Sequence, residues 1–196
     1  APDPRGSDTE YFWQDVLGRD MWLKILMRYM LVKSETSIDP ATAKESTSTS
    51  IRFPRFHQLD AVEHIVADVE GLGPGQRYLI EHSAGSGKTD TIVWTAQRLA
   101  ALHDENNAKV FDSVIVVTDR TVLDSQMRDA MMQLDMRKGQ VVSVDTEHGP
   151  KSTAFIDALK ARTPIIVVTI QTAPFALATL QKASEELRGT YVVIAD

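Results

Sequence analysis

The residues most able to do chemistry in this chain are consecutive: His82-Ser83-Ala84-Gly85-Ser86-Gly87-Lys88-Thr89. Glycines at this spacing let the main chain curl until successive N–H groups point into one hollow, which suits an anion. Lys88 then supplies an ammonium group for the β- and γ-phosphates of a nucleoside triphosphate. The Thr89 hydroxyl suits Mg²⁺. The pattern departs from the strict G-x-x-x-x-G-K-S/T form at its first position, which is His82. Its surroundings are those such a loop requires. The apolar run Tyr78-Leu79-Ile80 precedes it, and a helix-like stretch from Thr91 to Leu102 follows. A helix start there adds its positive dipole end and unpaired N–H donors.

A second acid belongs with the loop. Asp196 closes the apolar run Val192-Val193-Ile194-Ala195. An aspartate at the tip of a buried strand, far downstream of a phosphate loop, is placed to hold Mg²⁺. Lys88 and Asp196 are therefore the expected catalytic pair, and Thr89 and Asp196 the expected metal side chains. Gln58 carries a donor and an acceptor side by side, the pairing that adenine N6 and N7 demand. A helix-surface glutamine is its alternative reading. Thr118-Asp119-Arg120 and Thr169-Ile170-Gln171-Thr172 each follow a strand pattern. They stand where ligands bind in open α/β sheets. Each suits a nucleic-acid phosphate track or, equally, a helix N-cap and turn. The five histidines, His57, His64, His82, His103 and His148, show no metal spacing and read as structural or surface residues.

The elements that must position these groups can be read from periodicity. Residues from about Asp8 to Val32 space their apolar groups near 3.6, so a helix with a packed aromatic and Met-rich face is expected. Ser34 to Ser50 is Ser/Thr-rich with little to bury and reads as a linker. This gives three parts: a helical segment at 1–33, a linker at 34–51, and an α/β domain at 52–196. Within the last part helices are expected at Gln58–Val69, Thr121–Leu134, Thr153–Lys160 and Phe175–Leu187. Strands are expected at Tyr78–Glu81, Val114–Thr118, Val141–Val144, Pro164–Thr169 and Tyr191–Ala195. Uninterrupted β-branched strands alternating with helices mean a parallel sheet flanked by helices.

Composition sets outer limits. The chain has 196 residues, 43% of them hydrophobic, a net charge of -6 and no cysteine. A core can form, a generally basic nucleic-acid coat is excluded, and so are disulfides and thiolate metal sites. The most apolar stretch, Met21–Val32, contains Lys24 and Arg28 and is too short and charged to span a bilayer. No membrane partner is expected, and a cytoplasmic setting is compatible. The chain stops on a buried-strand pattern, so it reads as a piece of something longer.

In order along the chain, RFPRFHQ (52–58), HSAGSGKT (82–89), FDSVIVVTDRTVLDSQ (111–126), VVTIQT (167–172) and VVIAD (192–196) resemble the motor subunit of type I restriction enzymes, a family of helicase superfamily two. The resemblance implies a RecA-like motor domain that uses ATP and Mg²⁺ and moves duplex DNA. The implied partners are double-stranded DNA and the methyltransferase and specificity subunits. That family tolerates His at the first position of the loop. The resemblance makes Gln58 the adenine reader, with Arg55 in the same motif. Ser83, Ala84, Gly85, Ser86, Gly87, Lys88 and Thr89 become the ATP-binding loop. Thr118, Asp119, Arg120, Gln126, Thr169 and Gln171 become DNA contacts, and Asp196 the first acid of the family's acidic box. The alternatives are another superfamily-two helicase or remodeller motor, a non-catalytic nucleotide-binding module, and a small phosphate-loop kinase. The last is disfavoured by the distance from loop to acid. No nuclease motif is evident, and the second motor domain is missing, so the chain by itself is expected not to hydrolyse ATP at a useful rate. In this fold a further strand lies between the phosphate-loop strand and the strand of Asp196. Its absence is expected to leave a gap with unpaired backbone edges, which weakens folding of the chain alone.

Overall fold

A computed structural model describes residues 10, 12, 16–38, 44–118, 131, 140–144, 151–172, 174 and 187–196. The chain divides into two compact units, Ala1–Arg55 and Phe56–Asp196.

The first unit contains helix α1 (Arg19–Arg28) and strands β1 (Leu31–Ile38) and β2 (Glu45–Arg52). The strands pair antiparallel from Leu31↔Arg52 to Ile38↔Glu45. This corrects the expected linker at 34–51, which is largely a β-ribbon. The alternating Ser and Thr of β2 suit a strand backbone, but every β2 residue is exposed. Without a buried face there is no apolar alternation to announce the strand. The helix is also shorter than expected, because Val32 belongs to β1. It buries Ile25, with Tyr29 beyond its end, and leaves Trp22, Leu23, Leu26 and Met27 exposed, so the expected packed stripe is not formed. Trp22 instead stacks on Phe53, ring centroids 6.3 Å apart and ring planes nearly parallel.

The second unit begins with helix α2 (Phe56–Leu72). Gly73 ends it with φ +75° and an N–H bonded to the carbonyl of Val69 at 2.9 Å, a left-handed stop suited to glycine. Helix α3 (Lys88–Ala100) follows the phosphate loop. Strands β3 (Ser113–Thr118), β4 (Val141–Val144), β5 (Ile165–Thr169) and β6 (Tyr191–Ala195) and helix α4 (Lys151–Lys160) complete the described elements. All four strands are parallel in the order β4-β5-β3-β6. β3 and β5 are buried along their whole length, as their uninterrupted Val and Ile runs require. On one side Phe155, Ala158 and Leu159 of α4 pack with Ile115, Val117, Ile166 and Val168. α3 buries Ile92, Val93, Trp94, Ala96 and Leu99, and an Arg98–Glu63 ion pair at 3.4 Å ties it to α2. The expected α/β class is therefore the observed one.

At the start of the strands, Asp112 fixes β6 beside β3. Its N–H bonds the Thr190 carbonyl at 2.8 Å, and its carboxylate accepts the Thr190 N–H at 2.9 Å and pairs with Arg162 at 3.0 Å. Burial first, and then the Asp112 charge, push the Tyr191 hydroxyl up in pKa. It stays protonated and donates to the Leu187 carbonyl at 2.9 Å.

One expected strand is not formed. Residues 78–81 have no strand assignment, and Leu79 is 98% exposed. A cleft of about 530 Å³ lies between this segment and β6, lined by Tyr78, Ile80, Lys88, Val193 and Asp196 among others. The apolar run is present, but with the cleft intervening it has no ladder to join. The expected helices at 121–134 and 175–187 lie outside the described residues, apart from buried Met131 and Leu187.

Burial separates two sheet residues. Ile166→Ala, at a fully buried site, should cost about 2–5 kcal/mol in urea unfolding. Val193→Ala, at an exposed site on β6, should stay within about 0.5 kcal/mol.

Candidate functional site

Parallel strands deliver their carboxyl ends to one rim of the sheet. The Asp196 N–H bonds the Val117 carbonyl at 3.0 Å, and the Ile170 N–H bonds the Thr118 carbonyl at 2.8 Å. These links hold the last residues of β6, β3 and β5 side by side. The phosphate loop reaches the same rim.

The loop is curled, as its glycines require. Gly85 has φ +74° and Gly87 φ +88°, and the Ser86 N–H bonds the Ser83 carbonyl at 3.2 Å. Gly87 is the N-cap of α3 in the left-handed conformation. Its carbonyl accepts the Thr91 N–H at 3.2 Å, which starts the helix. The opening turn leaves N–H groups without intrahelical acceptors, directed toward the place where an anion would sit. Asp90, in that first turn, is favourably placed against the dipole.

Lys88 and Asp196, far apart in the chain, meet here. Nζ lies 3.2 Å from Oδ1, with the lysine side chain 55% exposed and the aspartate 17%. A pair this open contributes about 0–1 kcal/mol. It is weak enough for a multiply charged phosphate to draw the ammonium away. The donor set fits Mg²⁺, a hard cation that takes a carboxylate or two, a hydroxyl, phosphate oxygens and water rather than an all-protein cage. Among the described residues no group of three or more acidic, His or Cys side chains suited to a metal occurs.

Gln58 is almost fully buried in the first turn of α2. Its amide nitrogen donates to the Gly87 carbonyl at 2.8 Å and to that of Ser86 at 3.4 Å. Both N–H donors thus serve the loop, where the sequence suggested adenine. A Cβ on Gly87 would stand 2.5 Å from this nitrogen, so a side chain there would displace the Gln58 amide, and the positive φ favours glycine. Arg55 is exposed at the end of the first unit.

Among the expected DNA contacts, Thr118 is 1% exposed and Thr169 4%. Thr169 Oγ1 lies 3.0 Å from Thr172 Oγ1, tying the turn after β5. Gln171 is exposed in that turn. Asp119, Arg120 and Gln126 lie outside the described residues.

Sequence reasoning missed the histidines. His57 Nε2 lies 3.1 Å from the Ser86 carbonyl, His82 Nδ1 lies 3.2 Å from Ser86 Oγ, and the two rings are 5.4 Å apart. The available signal was His82 itself, standing where the strict loop has glycine. Burial, then the His57 and Lys88 charges, hold the His82 pKa below its usual 6.5.

A family model of the SWI2/SNF2 ATPases matches residues 57–196, which span α2, the loop, the sheet and Asp196. The chain belongs to that family. It carries an ATP-dependent motor domain of the helicase-like superfamily two, the class expected from its sequence. Comparison with curated proteins and with solved structures finds no match. Among the described residues no helix is long and apolar enough to cross a membrane.

Two outcomes follow. Gly87→Ala places a side chain at φ +88° and against Gln58. It should cost at least about 1–2 kcal/mol from the backbone alone. A melting curve should show the loss. The second concerns pH. Between its folded pKa and 6.5, His82 binds fewer protons in the folded chain than in the unfolded one. Its contribution to stability is therefore full above 6.5 and is lost as pH falls through that window. His82→Asn should flatten the acid limb of a melting-temperature profile between pH 5 and 7.

Proposed function

We propose that the chain is the ATP-binding part of a duplex-DNA translocase belonging to a type I restriction endonuclease. In the parent, ATP hydrolysis drives DNA movement before cleavage, in the cytoplasm and beside methyltransferase and specificity subunits. The observation that carries the nucleotide half of this reading is the curled HSAGSGKT loop with Lys88 Nζ 3.2 Å from Asp196 Oδ1. The restriction half is supported by the HSAGSGKT and VIVVTDR-x-VLD-x-Q strings at their mutual spacing.

The residues divide the work as follows. The loop amides and the start of α3 bind the phosphates. Lys88 leaves Asp196 and neutralises the β- and γ-phosphoryl oxygens. Thr89 and the released Asp196 would hold Mg²⁺, which would supply neutralisation of phosphate charge. Gln58 keeps the loop against α2. Gln171, at the sheet rim, meets the DNA backbone together with Asp119, Arg120 and Gln126, while Thr118 and Thr169 hold that rim in place. Nucleotide binding and release then open and close the cleft against a second motor domain. A remodeller-type motor is the second reading, supported by the SWI2/SNF2 family match.

Mg²⁺ with ADP or a non-hydrolysable ATP analogue should raise the melting point, by roughly 2.7 kcal/mol of stabilisation at a hundred times Kd. Lys88→Ala should abolish the gain, and an unchanged gain in that variant removes the nucleotide reading. The parent protein should show ATPase stimulated by duplex DNA and weakened by salt. A requirement for the methyltransferase and specificity subunits selects the restriction motor. Full stimulation without them selects the remodeller type.

A further inference from the structure

The phosphate loop carries an imidazole at a position where the strict pattern has no side chain, and that imidazole turns back onto the loop. His82 Nδ1 lies 3.2 Å from Ser86 Oγ. His57, in the first turn of α2, places Nε2 3.1 Å from the Ser86 carbonyl, with its ring 5.4 Å from that of His82. A carbonyl only accepts, so His57 must present Nε2–H there. His82 Nε2 is buried and has no hydrogen-bond partner among the described residues. A buried bare nitrogen is cheaper than a buried orphan N–H, because the stranded donor is the rarer and costlier case. The proton therefore sits on Nδ1, and His82 donates to the Ser86 hydroxyl. Each ring is fixed in the tautomer that faces Ser86.

Ser86 is the residue that most needs fixing. It stands between Gly85 and Gly87, both at positive φ, in a segment whose freedom is large when nothing holds it. Any ordering left until nucleotide arrives weakens binding. We propose that His57 and His82 are positioning residues that hold Ser86 by its carbonyl and its hydroxyl and pre-form the phosphate loop for nucleotide. This rests on the reading of the loop as an ATP site. It assigns the two histidines a role in affinity rather than in the chemical step.

The geometry allows a test that a general packing role would not satisfy. An Asn amide nitrogen stands where Nδ1 stands in histidine, and a Gln amide nitrogen reaches where Nε2 stands. His82 acts through Nδ1 and His57 through Nε2, so the replacements that preserve each bond are crossed. The Kd for a fluorescent ADP with Mg²⁺ is measured for the chain at pH 7.5. His82→Asn and His57→Gln should bind within about two-fold of the parent. His82→Gln, His82→Gly, His57→Asn and His57→Ala should each weaken binding roughly three- to ten-fold, the size of one lost hydrogen bond. Amide hydrogen exchange without nucleotide should be faster at Ser86–Lys88 in the weakened variants only. Equal affinities within each Asn/Gln pair, or unchanged binding by His82→Gly, overturn the proposal. If a position-82 variant fails to fold, the His57 pair alone decides. Lys88→Ala separates this from the underlying reading. If that variant binds like the parent, the ATP site itself is wrong. If it loses binding while the crossed pattern is absent, only the histidine grip is wrong.

Discussion

Everything at the site follows from strand polarity. A parallel sheet requires each strand to start on one side and finish on the other. The register Thr118↔Thr169 and Val117↔Ala195 therefore brings three strand ends to one rim. Asp196 is where it is because β6 is bonded to β3 along its length and anchored at its start by Asp112. The same rim receives the loop. An ion pair worth little energetically thus becomes informative, since Lys88 at the start of α3 and Asp196 after β6 are brought together by the packing of that helix on the sheet and not by their own attraction.

The loop answers a different constraint. To gather main-chain N–H groups around an anion, the backbone must enter left-handed conformations that only glycine adopts cheaply. Gly85 and Gly87 satisfy this, yet the same freedom makes the loop indefinite unless neighbours restrain it. Gln58, His57 and His82 all hydrogen-bond to the segment between Ser86 and Gly87. The adenine-reading role suggested by sequence and the loop-holding role seen in the structure draw on the same amide of Gln58. In the described arrangement its donors serve the loop.

What was legible in the sequence was whatever had two buried faces or a special backbone requirement. β3 and β5 announce themselves by unbroken β-branched runs, and the loop by its glycines and Lys-Thr ending. Three things were not legible. The β1–β2 ribbon has no buried face along β2, so its Ser and Thr residues imitate a linker. The run at 78–80 has strand composition but lies across a cleft from β6, and its own residues do not report whether a ladder forms. Thr118 and Thr169 look like polar rim residues, yet both are buried at their strand ends. The histidine grip was hidden for a further reason. His57 and His82 belong to separate motifs, and only the packing of α2 against the loop and α3 brings their rings together.

The account stands on an anion being held by the curled main chain between Ser83 and Thr89 beside the Lys88 ammonium. Residue-resolved amide hydrogen exchange, with and without Mg²⁺ and a non-hydrolysable ATP analogue, addresses this directly. The account predicts strong new protection at Gly85, Gly87, Lys88 and Thr89, with little change at the Asp112 end of the sheet. Nucleotide binding that leaves those four amides exchanging as before, or that protects a different part of the chain instead, would contradict it.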